Sequence, residues 1–306
     1  MKLATTTGDF GRYNLSYIGC IDRVAEAGFK YLDLSLYTVT KDNPLFYSDN
    51  WQDEVLKIKA HAKSRGLTFV QCHSPSTNNL SDNENSYEDA VFKTVRATRI
   101  CDILEIPNMV VHAGYNEKIT DREIWFAENK KFYLEVINAT PESKVNILFE
   151  NTTKKNMPVG MYLFSGKDMR DFADFVNHPR IHCCWDTGHA NCEGNQYDDI
   201  INMGDELYAV HFNDNSGRGD EHIIPFMGTM NSDEVISALI DIGFRGPLTF
   251  ECDSALRPYD YWQGDRKRFT RSTLLSDPPL ELQQEIESFM YKAGEYILKA
   301  YNIFEE

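Results

Sequence analysis

Histidines and carboxylates are the residues of this chain best suited to chemistry, and nine of them recur at comparable places. His73 follows the apolar run 68–72, His112 closes 109–112, Glu150 closes 146–150, Asp186 closes 182–186, His211 sits in 208–212 and Glu251 closes 248–251. His189, Asp220 and His222 stand in the loops after two of these runs, in Asp186-Thr187-Gly188-His189 and Gly219-Asp220-Glu221-His222. Five of the eight histidines belong to this set, whereas scattered surface histidines would show no preference for the ends of apolar runs. Mixed imidazole and carboxylate donors suit zinc, manganese, cobalt or iron, and a carboxylate-rich site also accepts magnesium. Nine donors suffice for more than one ion.

Each residue also has a blander use. A lone histidine on an apolar strand is usually a satisfied core residue, and a buried carboxylate usually belongs to an ion pair. The runs that carry Glu150, Asp186 and Glu251 contain no Lys or Arg, so their repulsion stays unrelieved without a cation. Asp220 and His222 suit a solvated loop equally well. His61, His178 and His182 fall on a helical pattern, in a turn and at the opposite end of a run, and read as structural.

Distant residues of this kind can meet only if the elements bring their ends together. Short β-rich runs at 2–6, 31–36, 68–72, 109–112, 146–150, 182–186, 208–212 and 248–251 alternate with helical periodicity at 17–27, 51–65, 84–104, 122–139, 167–176, 197–203, 232–242 and 279–301. Such alternation implies a parallel sheet. Glycines at Ala27-Gly28-Phe29, Arg65-Gly66-Leu67 and Ile242-Gly243-Phe244 stand where a helix must end before the next strand, and suit left-handed caps. An open doubly wound sheet is the rival, but the count of eight, the absence of GxGxxG after a strand and the polar residues at strand ends favour an α/β fold closed as a (β/α)8 barrel. No Pro/Gly/Ser-rich linker divides residues 1–306, which are read as one domain.

Two insertions fall on the face where the polar residues gather. The first, 153–166, holds Lys154, Lys155, Met161, Tyr162 and Phe164; the second, 254–278, holds Tyr259, Tyr261, Trp262, Arg266, Arg268 and Arg271. Aromatics and arginines suit stacking on a sugar ring and holding an anion. A contact between copies in a homo-oligomer is an equally good use.

The formal charge of −16 is spread along the chain and weighs against a nucleic-acid partner. Seven cysteines, an odd number without CxxC spacing and mostly in apolar stretches, read as buried thiols. No apolar run approaches the roughly 20 residues that span a bilayer, and the first residues, MKLATTTGDFGRYN, lack a secretory pattern, so the expectation is a cytoplasmic protein with no membrane partner.

Over nearly its whole length the chain resembles the xylose-isomerase-like barrels, specifically the sugar phosphate isomerase/epimerase family and its relative endonuclease IV. The resemblance is carried by His73-Ser74-Pro75, Val111-His112-Ala113-Gly114, Phe149-Glu150-Asn151, Cys184-Trp185-Asp186-Thr187-Gly188-His189-Ala190, Val210-His211-Phe212-Asn213-Asp214, Asp220-Glu221-His222 and Gly246-Pro247-Leu248-Thr249-Phe250-Glu251. It implies one divalent metal on Glu150, Asp186, His211 and Glu251, with Glu150 and Glu251 also moving protons through a metal-stabilised enediolate. It further implies substrate contacts from His189 and Arg218, with His73 and His112 nearby, and a small sugar or sugar phosphate as substrate.

Endonuclease IV binds three zinc ions, and all nine of its ligand types have counterparts here, the additional ones at His73, His112, His189, Asp220 and His222. A multi-zinc phosphoesterase is therefore the alternative expectation. Two departures bear on it. The loop after the first histidine reads Ser74-Pro75-Ser76-Thr77-Asn78-Asn79, without the tyrosine that the DNA enzymes insert into a duplex, and Pro225-Phe226-Met227-Gly228 replaces the usual Pro-Gly-x-Gly.

Overall fold

The computed structural model describes residues 1–194, 196–253, 255–256 and 278–306. Most of the second insertion, with Tyr259, Tyr261, Trp262, Arg266, Arg268 and Arg271, lies outside the described residues. Eight parallel strands close on themselves: β1 Leu3–Thr6, β2 Tyr31–Ser35, β3 Thr68–His73, β4 Asn108–Val110, β5 Asn146–Glu150, β6 Ile181–Asp186, β7 Leu207–Phe212 and β8 Leu248–Phe250, each paired with its sequence neighbours and β8 with β1. The helices are α1 Tyr17–Ala27, α2 Pro44–Tyr47, α3 Trp51–Ser64, α4 Ser86–Leu104, α5 Arg122–Ala139, α6 Gly166–Val176, α7 Thr187–Glu193, α8 Gln196–Met203, α9 Ser232–Asp241 and α10 Leu280–Ala300. This is the single-domain (β/α)8 barrel expected from the alternation. Gly28, Gly66 and Gly243 all take positive φ, as the cap reading requires.

Alternation along the strands decides what faces where. Val110, Leu148, Cys184 and Ala209 form a small apolar cluster apart from the main core, while their neighbours Met109, Ile147, Phe149, Cys183, Trp185 and Val210 belong to that core. Thr249 Oγ1 and Gln71 Oε1, on the non-adjacent strands β8 and β3, approach to 3.5 Å across the lumen. Adding two residues to each member of the small cluster gives His112, Glu150, Asp186 and His211. With period two, these stand in the layer directly above it.

Three strands stop earlier than expected, β2 by one residue at Ser35. β4 ends at Val110 and β8 at Phe250, so His112 and Glu251 lie just beyond their strands, the Glu251 N–H still donating to Phe212 O of β7 at 3.4 Å. Their side chains retain the inward parity. The sequence reading placed His189 in a loop; it lies instead on α7, which Asp186 caps by accepting the His189 N–H at 2.6 Å.

Candidate metal centre

Four groups of candidate ligands gather at the barrel among the described residues: Glu150, Asp186, His211 and Glu251; His73, His112 and Glu150; His189, Asp220 and His222; and Glu150, Cys184 and His211. In the first, His211 Nδ1 lies 2.5 Å from Glu150 Oε1 and 3.2 Å from Glu251 Oε2. In the second, His112 Nε2 meets Glu150 Oε2 at 2.8 Å and His73 Nε2 at 3.1 Å. In the third, the two oxygens of Asp220 face His189 Nε2 and His222 Nε2, each at 3.1 Å. Glu150 joins the first group to the second.

Main-chain carbonyls fix the imidazoles. His73 Nδ1 donates to Ser74 O at 2.9 Å, His189 Nδ1 to Asn151 O at 2.9 Å and His222 Nδ1 to Glu251 O at 3.1 Å. A carbonyl only accepts, so in each ring Nδ1 carries a proton and Nε2 is the atom turned into the site, where loss of its proton would free a lone pair for an ion. Metal-binding histidines are oriented in this way. Five imidazoles, three of them buried and two half-buried, converging on four carboxylates fit a divalent cation.

Local structure builds the rest. Asn151 Oδ1 accepts the Asp186 N–H at 2.6 Å, and Asn213 Nδ2 donates to Asp186 Oδ2 at 2.6 Å. A Cβ at Gly188 would sit 1.8 Å from Asn213 Oδ1, so no side chain fits under this brace. The loop with Asp220 and His222 is closed by an antiparallel bridge between Asp214 and Ile223. His222 itself adopts a left-handed backbone, φ 45°, uncommon outside glycine and located at the candidate site.

Pro225-Phe226-Met227-Gly228 holds its turn with Phe226 at φ 79° and with the Gly228 N–H on Asp214 Oδ2 at 2.9 Å. From the first insertion, Asn156 Nδ2 donates to Asp220 Oδ2 at 2.8 Å, and Asn156, Met157 and Met161 line the cavity. Lys154 is engaged with Glu193 at 3.6 Å. Arg218 is exposed at the tip of its loop and is not among the cavity-lining residues.

Burial works against charge throughout, and the neighbours decide the outcome. It opposes protonation of His211 and His189, but Glu251 and Glu150 hold the first, and Asp186 and Asp220 the second, up to about 10. His222 is likewise held well above its ordinary value by Asp220, against burial. Burial pushes His112 down despite Glu150. Burial would raise Glu150, yet His211 and His112 hold it well below the carboxylate range, whereas burial leaves Glu251 raised despite His211 and His222. One site thus contains one readily ionised and one reluctantly ionised glutamate.

A second acidic group escaped the sequence reading. Asp9, which lines the cavity, and Glu287 are both buried, and Thr5 Oγ1 donates to Asp9 Oδ2 at 2.9 Å. Burial, with Glu287 close by, pushes Asp9 well up, and burial pushes Glu287 up to about 8. The signal was present: Gln283, Glu287, Met290, Gly294 and Ile297 recur at helical spacing on the buried face of α10, with an acid where an apolar residue belongs. The residues set aside as structural behave so: His61 pairs with Asp22 at 2.9 Å, and His182 pairs with Glu206 at 2.7 Å while stacked on Tyr208.

Residues 21–286 match the family model described as "Xylose isomerase-like TIM barrel". An uncharacterized protein of Sinorhizobium fredii, y4fM, is 30% identical over 157 residues, 48% of each chain. A probable endonuclease 4 of Methanoculleus marisnigri is 27% identical over 178 residues, 52% of this chain and 60% of that one. The chain thus spans about half the length of the curated relatives it matches. Among solved structures, D-psicose 3-epimerase of Clostridium cellulolyticum H10, determined with D-tagatose, superposes with a TM-score of 0.74 at 20% identity, covering 97% of this chain and 99% of its own. At that identity the likeness shows the fold. Among the described residues, no helix is long and apolar enough to cross a membrane.

Proposed function

Because the chain belongs to the xylose isomerase-like TIM barrel family, whose model spans residues 21–286, we propose that it is a divalent-metal-dependent isomerase or epimerase acting on a sugar or sugar phosphate. The observation that carries this reading is the approach of Glu150 and Glu251 to one nitrogen of His211, with their acidities displaced in opposite directions. Paired acid and base work needs that asymmetry. The structural neighbour named as a D-psicose 3-epimerase supports the same class.

Glu150, Asp186, His211 and Glu251 are the residues that would hold the ion. A bound divalent ion supplies Lewis-acid polarisation of a carbonyl oxygen and stabilises the negative charge that develops there. Glu150, ionised, takes the proton from the carbon beside the carbonyl. Glu251, the more reluctant acid, delivers a proton to the neighbouring carbon or to the opposite face, and the two exchange states on each turnover. His189, His73 and His112 line the cavity beside them and offer contacts to substrate hydroxyls. Arg218 would have to swing inward to meet substrate.

The test is uptake of deuterium from D2O beside the carbonyl, screened over free ketoses and ketose phosphates with and without divalent ion. No exchange in any of them overturns the reading.

A second reading rests on the third group. His189 and His222 aim Nε2 at opposite oxygens of Asp220, which a single-ion isomerase does not require. With His73, His112 and Glu150 it would complete a multi-zinc phosphoesterase of the kind named by the endonuclease 4 relative. Counting bound ions separates the two.

A further inference from the structure

The cavity of about 1460 Å³ extends well past the carboxylates, exceeding the roughly 300–1,000 Å³ of pockets that enclose a drug-sized ligand. On the side formed by the ends of β2, β3 and β4, its wall carries two tyrosines that nothing in the proposed chemistry uses. Tyr37 is 45% exposed and Tyr115 is 38% exposed. Both line the cavity.

Their backbones are fixed although their rings are open. The Ser76 N–H donates to Tyr37 O at 2.8 Å, and Asn78 binds Tyr115 through both its groups: Oδ1 accepts the Tyr115 N–H at 3.0 Å and Nδ2 donates to Tyr115 O at 2.9 Å. One short loop after β3 therefore ties both residues in place. The Tyr37 ring also meets His73 edge-on at 5.2 Å and His112 at 6.0 Å, so it borders the candidate centre itself. Exposing two large rings inside a cavity forgoes their burial, unless a ligand covers them.

Ser76, Thr77, Thr38 and Thr40 add hydroxyls to this part of the wall, and Asp42 adds a carboxylate. Aromatic faces on anchored backbone, among hydroxyls and a carboxylate, match a sugar ring, which pairs an apolar C–H face with a rim of hydroxyls. A nucleobase would also stack, but the formal charge of −16 opposes the phosphates attached to it.

We infer that Tyr37 and Tyr115 form an accessory subsite for a second sugar ring, so that the substrate is a ketose carrying a glycosyl group. The inference rests on the proposed isomerase or epimerase reading for its kinetic form, and on direct binding otherwise. The kinetic probes are fructose and two disaccharides with a free fructose carbonyl, lactulose and isomaltulose. The expected result is a kcat/KM for deuterium uptake at least about tenfold higher for one of the disaccharides than for fructose. Tyr37→Ala and Tyr115→Ala each reduce that ratio by about fivefold to tenfold, and Tyr37→Phe restores it, because the ring face and not the hydroxyl is used.

Saturation-transfer NMR with the same three sugars, and with a short single-stranded oligonucleotide, reads occupancy without turnover. Tighter disaccharide binding that Tyr37→Ala abolishes supports the subsite even where no sugar exchanges deuterium, which would sink only the proposed reaction. Equal binding of fructose and both disaccharides overturns the inference, as does an unchanged ratio in both alanine variants. Tyrosine-dependent binding of the oligonucleotide alone overturns it as well.

Discussion

Glu150, the last residue of β5, and Glu251, just past the end of β8, reach the same atom, His211 Nδ1, at 2.5 and 3.2 Å. They do not share its proton evenly. Glu150 has two further imidazoles close by, His112 at 2.8 Å and His73 at 3.8 Å, whereas Glu251 has His222 at 3.8 Å. Burial pushes both carboxyls up, but the imidazoles around Glu150 outweigh it and pull the pKa of that carboxyl down, whereas Glu251, raised further by the charge of Glu150, stays up.

Each glutamate is assigned a proton, so Glu150→Gln and Glu251→Gln should each lower kcat by roughly 10²–10⁴-fold. Substrate-dependent deuterium uptake should vanish with it. Undiminished exchange in both variants would remove the two residues from the chemistry.

Elemental analysis of protein purified without chelator should find one tightly held divalent ion per chain. Asp186→Asn should release it, because Asp186 belongs to the group that includes both glutamates. Three zinc ions together with phosphodiesterase activity would select the hydrolase reading instead.

The ion-free protein should lose stability on the alkaline side. His189 and His211 have folded values of about 10 against an ordinary 6.5, so their contribution is complete below about pH 6.5 and is lost as pH rises through about 10. Glu150 and Asp220 act in the opposite sense: their contribution is present above their ordinary values of 4.5 and 3.8 and is lost as pH falls through their depressed folded values. Thermal unfolding between pH 7 and pH 10.5 should show a falling Tm that His189→Asn flattens. Adding divalent ion at pH 8 should release protons into weak buffer, and no release would mean that the imidazoles are already neutral.

Glu287→Gln should stabilise the protein above pH 8. A buried carboxyl raised from 4.5 to about 8 costs nothing below pH 4.5, progressively more between those values, and a constant amount beyond. The gain should be on the order of 3–5 kcal/mol at pH 9 and small at pH 4.5. A Tm difference independent of pH would show that Glu287 is not the titrating group.

The barrel was legible because it follows a simple period, and the candidate ligands were legible as a cluster because they stand at the ends of its strands. Apolar runs alternating with helical stretches pointed to the strands, and polar residues closing those runs, as Glu150 closes 146–150 and Asp186 closes 182–186, pointed to the candidate site layer. Short-range capping was harder to read: α7 is seeded by the Asp186 side chain on His189 N, a bond that no hydrophobic pattern records. Pairing across the chain was hidden altogether. Asp9 and Glu287 meet through tertiary packing, and Tyr37 borders His73 and His112 through the spacing of three strand ends.

The carbonyls that hold His73, His189 and His222 belong to Ser74, Asn151 and Glu251, and every amino acid brings the same group to those places. Point mutation can delete a ring but not its anchor. Descendants of such a scaffold could therefore gain or shed donors one at a time, and change catalytic repertoire, while the surviving rings keep their aim.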